Sequence, residues 1–308
     1  MIAVVLTLVL GGSLAFERIH DEVVRSRVIP RYGTLVDIAP DRQLFVQKAG
    51  QLGESVILIE SGLAGMALLA KPLGGRLGAS SQVISYDRFT NGLSQAPYGD
   101  RPSLSQAALD TSNLLKALGI KEPITYVGYS MGAVYAGHFA SNYPEKVKAL
   151  ILIDPPVQDE TLLPPEVVEK EFYSFRRVLR YQSLSSMVGI PRLRQILSSE
   201  ADQADEALIP LSHRHLTTSY EESLVMHQMH RQVSWERLPT NLPILVLSSG
   251  LVANSGTGMV HDFHRRIVEG RPNSRQLTLM SADHRGFLSP ARAPEVAALI
   301  RDFQRQKL

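Results

Sequence analysis

The chain has no cysteine in its 308 residues. Disulfide bonds, thiolate nucleophiles and cysteine-ligated metal sites are therefore excluded. A dense run of Lys or Arg is also lacking, because the 32 basic and 30 acidic residues are scattered and give a net charge of only +2. A nucleic-acid partner is therefore not expected. With 44% hydrophobic and 20% charged residues, the composition is typical of a globular protein, and the length fits one α/β domain with an insertion.

The N-terminus lacks charge. Met1 to Phe16 is almost wholly apolar, and as a helix it would span roughly 24 Å, slightly less than a ~30 Å hydrocarbon core. Three alternatives are open: a single-pass membrane anchor, a cleaved signal peptide with Ser13 and Ala15 near the cleavage site, or a buried helix. We expect an anchor, and we predict that 1–27 forms this hydrophobic segment plus a linker. The side of the membrane stays open, and a secreted or cytoplasmic protein is the alternative.

Short apolar runs alternate with amphipathic stretches along the rest of the chain. Two short runs on either side of Pro40-Asp41 predict a β-hairpin. A later run, Ser55 to Glu60, is apolar between its two ends, as buried parallel strands are. Val147 to Ile153 is a further predicted strand. The alternation predicts an α/β fold with a mostly parallel central sheet and helices on both faces.

One long stretch interrupts this alternation. Residues 155–238 contain no buried-strand run and predict several short helices. Because the stretch lies between two predicted strands, we interpret it as a helical cap insertion. The core is then predicted to consist of 28–154 and 239–308.

A serine lies at a predicted strand-to-helix turn. Gly128-Tyr129-Ser130-Met131-Gly132 follows an apolar strand and opens a helix. Such a turn lifts the serine hydroxyl above the sheet edge, and the flanking glycines let the turn close without Cβ clashes. The sequence therefore predicts Ser130 as a nucleophile.

A serine hydroxyl needs a general base, and His284 is the best placed of the nine histidines. It lies in a loop between the last predicted strand and the last predicted helix. A loop at the carboxyl end of a strand would bring it to the same rim as Ser130. The alternative is an ordinary histidine in a surface loop.

The acid that would orient this histidine is harder to place. The loop 248–256, after the next-to-last strand, contains neither Asp nor Glu, and Asp262 should lie inside a helix. Asp154 directly follows the strand after the nucleophile and can orient the imidazole. We predict Asp154 as the acid. A Ser–His pair without an acid, with Asp154 only ending its strand, is the alternative.

Two backbone amides are expected to stabilise an oxyanion. The Met131 amide follows the nucleophile at the start of a helix. The second should come from the glycine-containing loop Glu60-Ser61-Gly62-Leu63-Ala64-Gly65, where we choose the Leu63 amide. No metal and no cofactor is required.

Taken together, these segments resemble the α/β-hydrolase fold superfamily, in its capped serine hydrolase branch. The resemblance runs from about Gly33 to the C-terminus. It rests on the loop 60–65, on Tyr86-Asp87-Arg88, on the 128–132 motif and on Ala282-Asp283-His284. In relatives, the segment matching 86–88 shapes the pocket floor. Some relatives, including haloalkane dehalogenases, carry the acid where Asp154 lies. Those dehalogenases use an aspartate nucleophile, so Ser130 argues against dehalogenation.

The function implied is a serine hydrolase that cleaves a small or medium apolar ester or lactone through an acyl-enzyme. One alternative is a peptidase of the iminopeptidase type, which would need a cap carboxylate to bind a free amine. The other is a ligand-sensing member or pseudoenzyme, favoured by the unusual acid position. The carboxylates available to bind an amine are Glu169, Glu171, Glu221 and Glu222.

Overall fold

A single mixed β-sheet organises the structure. The computed structural model describes residues 2–51, 55–88, 91–97, 101–157, 173–198, 205–250 and 257–307. Its strands are β1 (Thr34–Ala39), β2 (Arg42–Ala49), β3 (Val56–Glu60), β4 (Gln82–Tyr86), β5 (Ile124–Tyr129), β6 (Val147–Ile153), β7 (Ile244–Ser249) and β8 (Arg275–Leu279). They follow the order β1-β2-β4-β3-β5-β6-β7-β8. The hairpin β1–β2 is antiparallel, β2 is antiparallel to β4, and β3 to β8 run parallel. The predicted fold class is confirmed.

The helices are α1 (Ile2–Tyr32), α2 (Lys71–Leu77), α3 (Leu104–Ala117), α4 (Met131–Asn142), α5 (Ser174–Ser186), α6 (Ile190–Ser198), α7 (His213–Gln232), α8 (Thr257–Val268) and α9 (Ala293–Lys307). Short 3-10 helices span Ala67–Ala70, Pro144–Lys146, Asp205–Leu211 and Trp235–Arg237.

Alternating side chains of the strands form two cores. Leu58 of β3 and Leu152 of β6 pack on the face covered by α3, α4 and α8. Their neighbours Ile59 and Ile153 pack on the opposite face, under α2 and α9. Because successive strand residues point to opposite faces, a strand buried on both faces is mainly apolar. The continuous apolar runs in the sequence have this cause.

The segment Lys71–Leu77, which contains Gly74-Gly75-Arg76, forms the short helix α2. Leu73 and Leu77 are fully buried, and a Cβ on Gly74 would lie 3.6 Å from Val83. Packing against the sheet therefore outweighs the low helix propensity of two glycines.

The N-terminal segment forms one continuous helix, α1, through both the predicted apolar run and the predicted linker. Its second half packs on the body: Val24 and Val28 are buried beside Phe45 and Ile209. Where the structure describes helices, none is long and apolar enough to cross a membrane. The side chains of residues 1–10, which carry most of the apolar run, lie outside the described set. The predicted membrane anchor is therefore not supported.

The predicted cap region contains helices α5, α6 and α7, and its described residues, 155–157, 173–198 and 205–238, form no strand. Helix α7 buries one stripe of side chains, including His215, Ser219, Glu222 and Met226. This spacing is the one expected for a helix with one face against a core. The domain boundaries proposed from the sequence stay a prediction.

Candidate active site

Ser130 lies between β5 and α4 in a strained conformation. Its φ is 52° and its ψ is −122°, a backbone region that costs a non-glycine residue about 1–3 kcal/mol. A hydrogen bond from the Ser130 amide to the Ile153 carbonyl, 2.8 Å long, stabilises this strained conformation. A Cβ on Gly128 would come within 2.5 Å of the Gly132 carbonyl oxygen. The glycines of the motif are therefore needed for the turn to close.

Asp154 directly follows β6 and also has a positive φ, of 48°. Its amide donates to the Leu247 carbonyl at 2.7 Å. Its Oδ1 accepts a hydrogen bond from the Ser249 amide at 2.8 Å. The carboxylate is thereby fixed between β6 and the end of β7, with its second oxygen directed to the loop after β8.

His284 lies in that loop, between β8 and α9, and contacts both partners predicted for it. Its Nδ1 lies 2.6 Å from Asp154 Oδ2. Its Nε2 lies 3.0 Å from Ser130 Oγ. Since Asp154 accepts through Oδ2, the proton of neutral His284 is on Nδ1, and Nε2 faces the serine as an acceptor. The structure thus brings the three predicted side chains into one hydrogen-bonded relay.

The electrostatics of Asp154 suit this arrangement. Burial alone would raise the pKa of the carboxyl. The hydrogen bond and charge interaction with His284, together with the Ser249 amide, outweigh burial and hold the pKa below its usual value. Asp154 is therefore an anion at neutral pH, as required to stabilise an imidazolium.

The other carboxylates near the site have different partners. Asp262 is half exposed and pairs with Arg265 at 2.7 Å on the surface of α8. Asp283 accepts from the Gly286 amide at 2.7 Å within its own loop. Their positions give them no part in orienting the imidazole.

Two supporting residues were not predicted from the sequence. Tyr129 stacks on the His284 ring with centroids 5.3 Å apart, and its hydroxyl donates to the His284 carbonyl at 2.6 Å. Ser249 Oγ donates to the Ala282 carbonyl at 3.0 Å. Both fix the histidine loop. An aromatic residue directly before the nucleophile was the available signal for Tyr129, whereas Ser249 gave none.

The loop 60–65 lies against Ser130. A Cβ on Gly62 would be 3.0 Å from Ser130 Cβ and 3.5 Å from its Oγ. The loop turns at Ala64, whose φ is 55°, and Ser61 Oγ donates to the Met66 carbonyl at 2.9 Å. Leu63 is in this turn, and Met131 is the first residue of α4, where amides have no acceptor inside the helix. Both amides stay our candidates for binding an oxyanion.

Glu222, one of the four candidate amine-binding carboxylates, is fully buried. Its Oε1 lies 2.7 Å from Arg88 Nη2. Glu221 is half-buried, and burial raises the pKa of its carboxyl. Glu169 and Glu171 lie outside the described residues.

The sequence model of the alpha/beta hydrolase fold family matches residues 55–223, more than half of the chain. The chain belongs to the α/β-hydrolase fold family. The match covers β3 to β6 and the turn that carries Ser130. This family membership accounts for the parallel order of the strands and for the sharp turn between β5 and α4.

Individual α/β-hydrolase relatives are distant. The uncharacterized protein YbdG of Bacillus subtilis (strain 168) is 26% identical over 122 residues, 40% of this chain and 37% of YbdG. The enol-lactonase from Burkholderia xenovorans LB400 has a TM-score of 0.60 at 17% identity, covering 87% of this chain and 99% of the lactonase. A structure described as a membrane phospholipase A, a bacterial virulence factor, has a TM-score of 0.65 at 19% identity, covering 99% and 96%. The segments matched in curated relatives span between 35% and 38% of those relatives.

Proposed function

We propose that the chain is a serine hydrolase that cleaves a carboxylic ester or lactone through an acyl-enzyme. The observation that carries the proposal is the relay itself: Ser130 Oγ to His284 Nε2 at 3.0 Å and His284 Nδ1 to Asp154 Oδ2 at 2.6 Å. These distances are within the range for a nucleophile with a general base and an orienting acid.

Each step of the reaction has a group in this arrangement. His284 Nε2 removes the Ser130 proton as Oγ attacks the carbonyl carbon, and Asp154 stabilises the imidazolium. The Leu63 and Met131 amides bind the oxyanion. The imidazolium then protonates the departing alkoxide oxygen. Water attacks the acyl-enzyme with His284 again as base, and the acid leaves while Ser130 regains its proton.

The substrate class follows from what the relay can attack and from the fold neighbours. Enol-lactonase and phospholipase are the activities named for two structures of this fold, and both reactions cleave a carboxylic ester bond. We propose a small or medium apolar ester or lactone. The iminopeptidase alternative loses one of its candidate amine-binding groups, because Glu222 is buried against Arg88.

The test is fluorophosphonate labelling together with turnover of short-chain nitrophenyl esters. We expect the wild type to gain one phosphonyl group on Ser130 and to hydrolyse the esters. Ser130→Ala should do neither while keeping its circular dichroism spectrum. A folded wild type that resists the probe would contradict the proposal and favour a sensing protein. Unchanged turnover by Ser130→Ala would place the nucleophile elsewhere.

A further inference from the structure

A buried guanidinium links the cap region to the loop beside the nucleophile. Arg88, two residues after β4, is almost completely buried. Its Nη1 donates to the Ser61 carbonyl and its Nη2 to the Gly62 carbonyl, each at 2.6 Å. Ser61 and Gly62 directly precede Leu63, the proposed donor. Arg88 therefore fixes the orientation of the two peptide units that lead into it.

Arg88 is held in turn by a residue of helix α7. Its Nε donates to Glu222 Oε1 at 2.8 Å, and its Nη2 lies 2.7 Å from the same oxygen. The Tyr135 hydroxyl of α4 also donates to Glu222 Oε1, at 2.7 Å. The guanidinium carbon lies 4.6 Å from the centroid of the Tyr135 ring. The plane of the guanidinium is thus determined by α4 and α7 together.

The charges in this cluster favour an ionised arginine. Burial alone would lower the pKa of Arg88, but the nearby Glu222, Tyr135 and Glu60 raise it above its ordinary value. Two short hydrogen bonds from a charged donor to neutral carbonyls are stronger than bonds between neutral groups. The Gly62 carbonyl also accepts from the Gly65 amide, at 3.1 Å, so the arginine and the turn hold the same peptide unit.

A second residue on the same face of α7 contacts neighbouring loops. His215 Nδ1 accepts from the Gly92 amide at 3.0 Å, and its ring also makes a hydrogen bond with the Ala64 backbone. Helix α7 therefore contacts the turn on both sides of Leu63: through Arg88 at Ser61 and Gly62, and through His215 at Ala64.

We propose that Arg88 is a positioning residue for the oxyanion loop and that Glu222 of α7 sets its orientation, so that the seating of α7 determines the geometry of the Leu63 amide. The inference rests on the proposed function, since it assigns Leu63 a role in ester cleavage. Neither residue touches the reacting atoms. Their effect is on the loop, and through the loop on the transition state.

The experiment compares two buried carboxylates, each paired with a buried arginine, of which only Arg88 holds the loop beside Ser130. Glu222→Gln keeps the shape of the side chain and removes the charge that orients Arg88. Asp110→Asn does the same to the buried pair Arg42–Asp110, whose nitrogen and oxygen lie 2.9 Å apart between β2 and α3. Both variants should lose stability. We expect kcat to fall by about 10-fold in Glu222→Gln and by about 100-fold in Arg88→Met with KM little changed, and kcat to stay at the wild-type value in Asp110→Asn.

Inhibition by an alkyl boronic acid distinguishes a changed position of the oxyanion donors from a general loss of stability. The boronate forms a tetrahedral anion on Ser130 and so reports on the oxyanion donors. Across the variants, the inhibition constant should rise in proportion to the loss in kcat/KM. The double variant Arg88→Met with Glu222→Gln should be no worse than Arg88→Met alone, because Glu222 acts through Arg88.

Several outcomes would overturn the inference. They are a wild-type kcat in Glu222→Gln, unchanged boronate inhibition beside a reduced kcat, or additive effects in the double variant. If Arg88→Met does not fold, Arg88→Lys serves instead, because its single nitrogen cannot hold both carbonyls and Glu222. A wild type without esterase activity would instead contradict the proposed function, so the two failures are distinguishable.

Discussion

The His284 Nδ1 lies 2.6 Å from Oδ2 of Asp154, and the other oxygen of that carboxylate lies 2.8 Å from the Ser249 amide. The proposed acid therefore lies at the end of β6 and is held by the end of β7. The end of β7 contributes no carboxylate to this arrangement. It contributes the Ser249 amide, which donates a hydrogen bond to the carboxylate of Asp154.

We expect Asp154→Asn to lower kcat by roughly 10³- to 10⁴-fold, because an amide cannot stabilise the imidazolium and favours the wrong tautomer. The measurement is steady-state hydrolysis of a short nitrophenyl ester. The control is Asp262→Asn, which removes a half-exposed carboxylate paired with Arg265 and should leave kcat unchanged. A damaging Asp262→Asn beside a harmless Asp154→Asn would place the acid after β7.

A methyl group at position 62 tests the loop beside the nucleophile. The added Cβ would be 3.0 Å from Ser130 Cβ, so in Gly62→Ala the loop or Ser130 has to shift by a few tenths of an ångström. We expect kcat to fall by about 10²-fold. Gly75→Ala is the matched control: it meets nothing within 4 Å, and in the helix α2 it should stabilise the fold by about 0.5–1 kcal/mol. Equal activity in both variants would show that the loop has no part in catalysis.

The stability of the protein should fall on acidification through a buried imidazole. Burial and the charge of Arg88 lower the pKa of His215 from 6.5 to about 4. Between these two values the unfolded state binds a proton that the folded state does not, so the free energy of unfolding falls as the pH falls. In His215→Gln the slope of that free energy against pH, between 4 and 6.5, should be smaller by up to about 1.4 kcal/mol per pH unit. An unchanged slope would mean that folded His215 takes up protons freely.

Glu60 should make the opposite contribution to the pH dependence of stability: the free energy of unfolding should fall as the pH rises. Burial raises the pKa of its carboxyl from 4.5 to about 7, despite the charge of Arg88 and the Tyr126 hydrogen bond. The folded state therefore holds a proton that the unfolded state releases, and the stabilisation present below pH 4.5 is lost as the pH rises through about 7. Urea unfolding of Glu60→Gln should show less loss of stability over this range than the wild type does. A greater loss in the variant would contradict the assignment.

Helix α1 is joined to α6 through a buried arginine. Arg192 is fully buried, and its guanidinium lies 3.1 Å from Glu17 and 2.7 Å from Asp21. Arg192→Met removes both of these ion pairs, while Asp21 keeps Arg214 and Glu17 keeps the His213 amide. It should lower the free energy of unfolding by about 3 kcal/mol, as measured by urea titration. The exposed Arg194→Met should change it by less than about 0.5 kcal/mol.

The same contacts predict which truncations are tolerated. A variant that begins at Ser13 keeps Glu17 and Asp21, and we expect it to unfold at the wild-type urea concentration. A variant that begins at Arg27 loses both and should be destabilised at least as much as Arg192→Met. Equal midpoints for the two truncations would show that the ion pairs contribute nothing.

The sheet was predictable because strands buried on both faces are mainly apolar. The run of β3 is apolar from Val56 to Ile59, and that of β6 is broken only by the half-buried Lys148. The turn after β5 then indicates Ser130 as the candidate nucleophile. Asp154 was predicted as the acid because the loop 248–256 contains neither Asp nor Glu. Local pattern and chain order were sufficient for these features.

The remaining features depend on contacts between distant parts of the chain. Helix α2 forms despite its two glycines, because Leu73 and Leu77 are buried under α9. The pairing of Arg88 with Glu222 joins residues separated by 134 positions, and no local pattern indicates which of many arginines is buried. The resemblance indicated that the segment 86–88 shapes the pocket floor in relatives, but it gave no partner for Arg88.

The hydrogen bond from Ser249 to Asp154 is donated by the main chain, so it does not depend on the identity of the side chain at position 249. Any residue except proline supplies that amide, provided that its side chain fits a buried site. The chain after β7 therefore needs no acidic residue for the proposed Ser130–His284–Asp154 site. Substitutions or a grafted segment at 251–256 would leave the proposed acid in place.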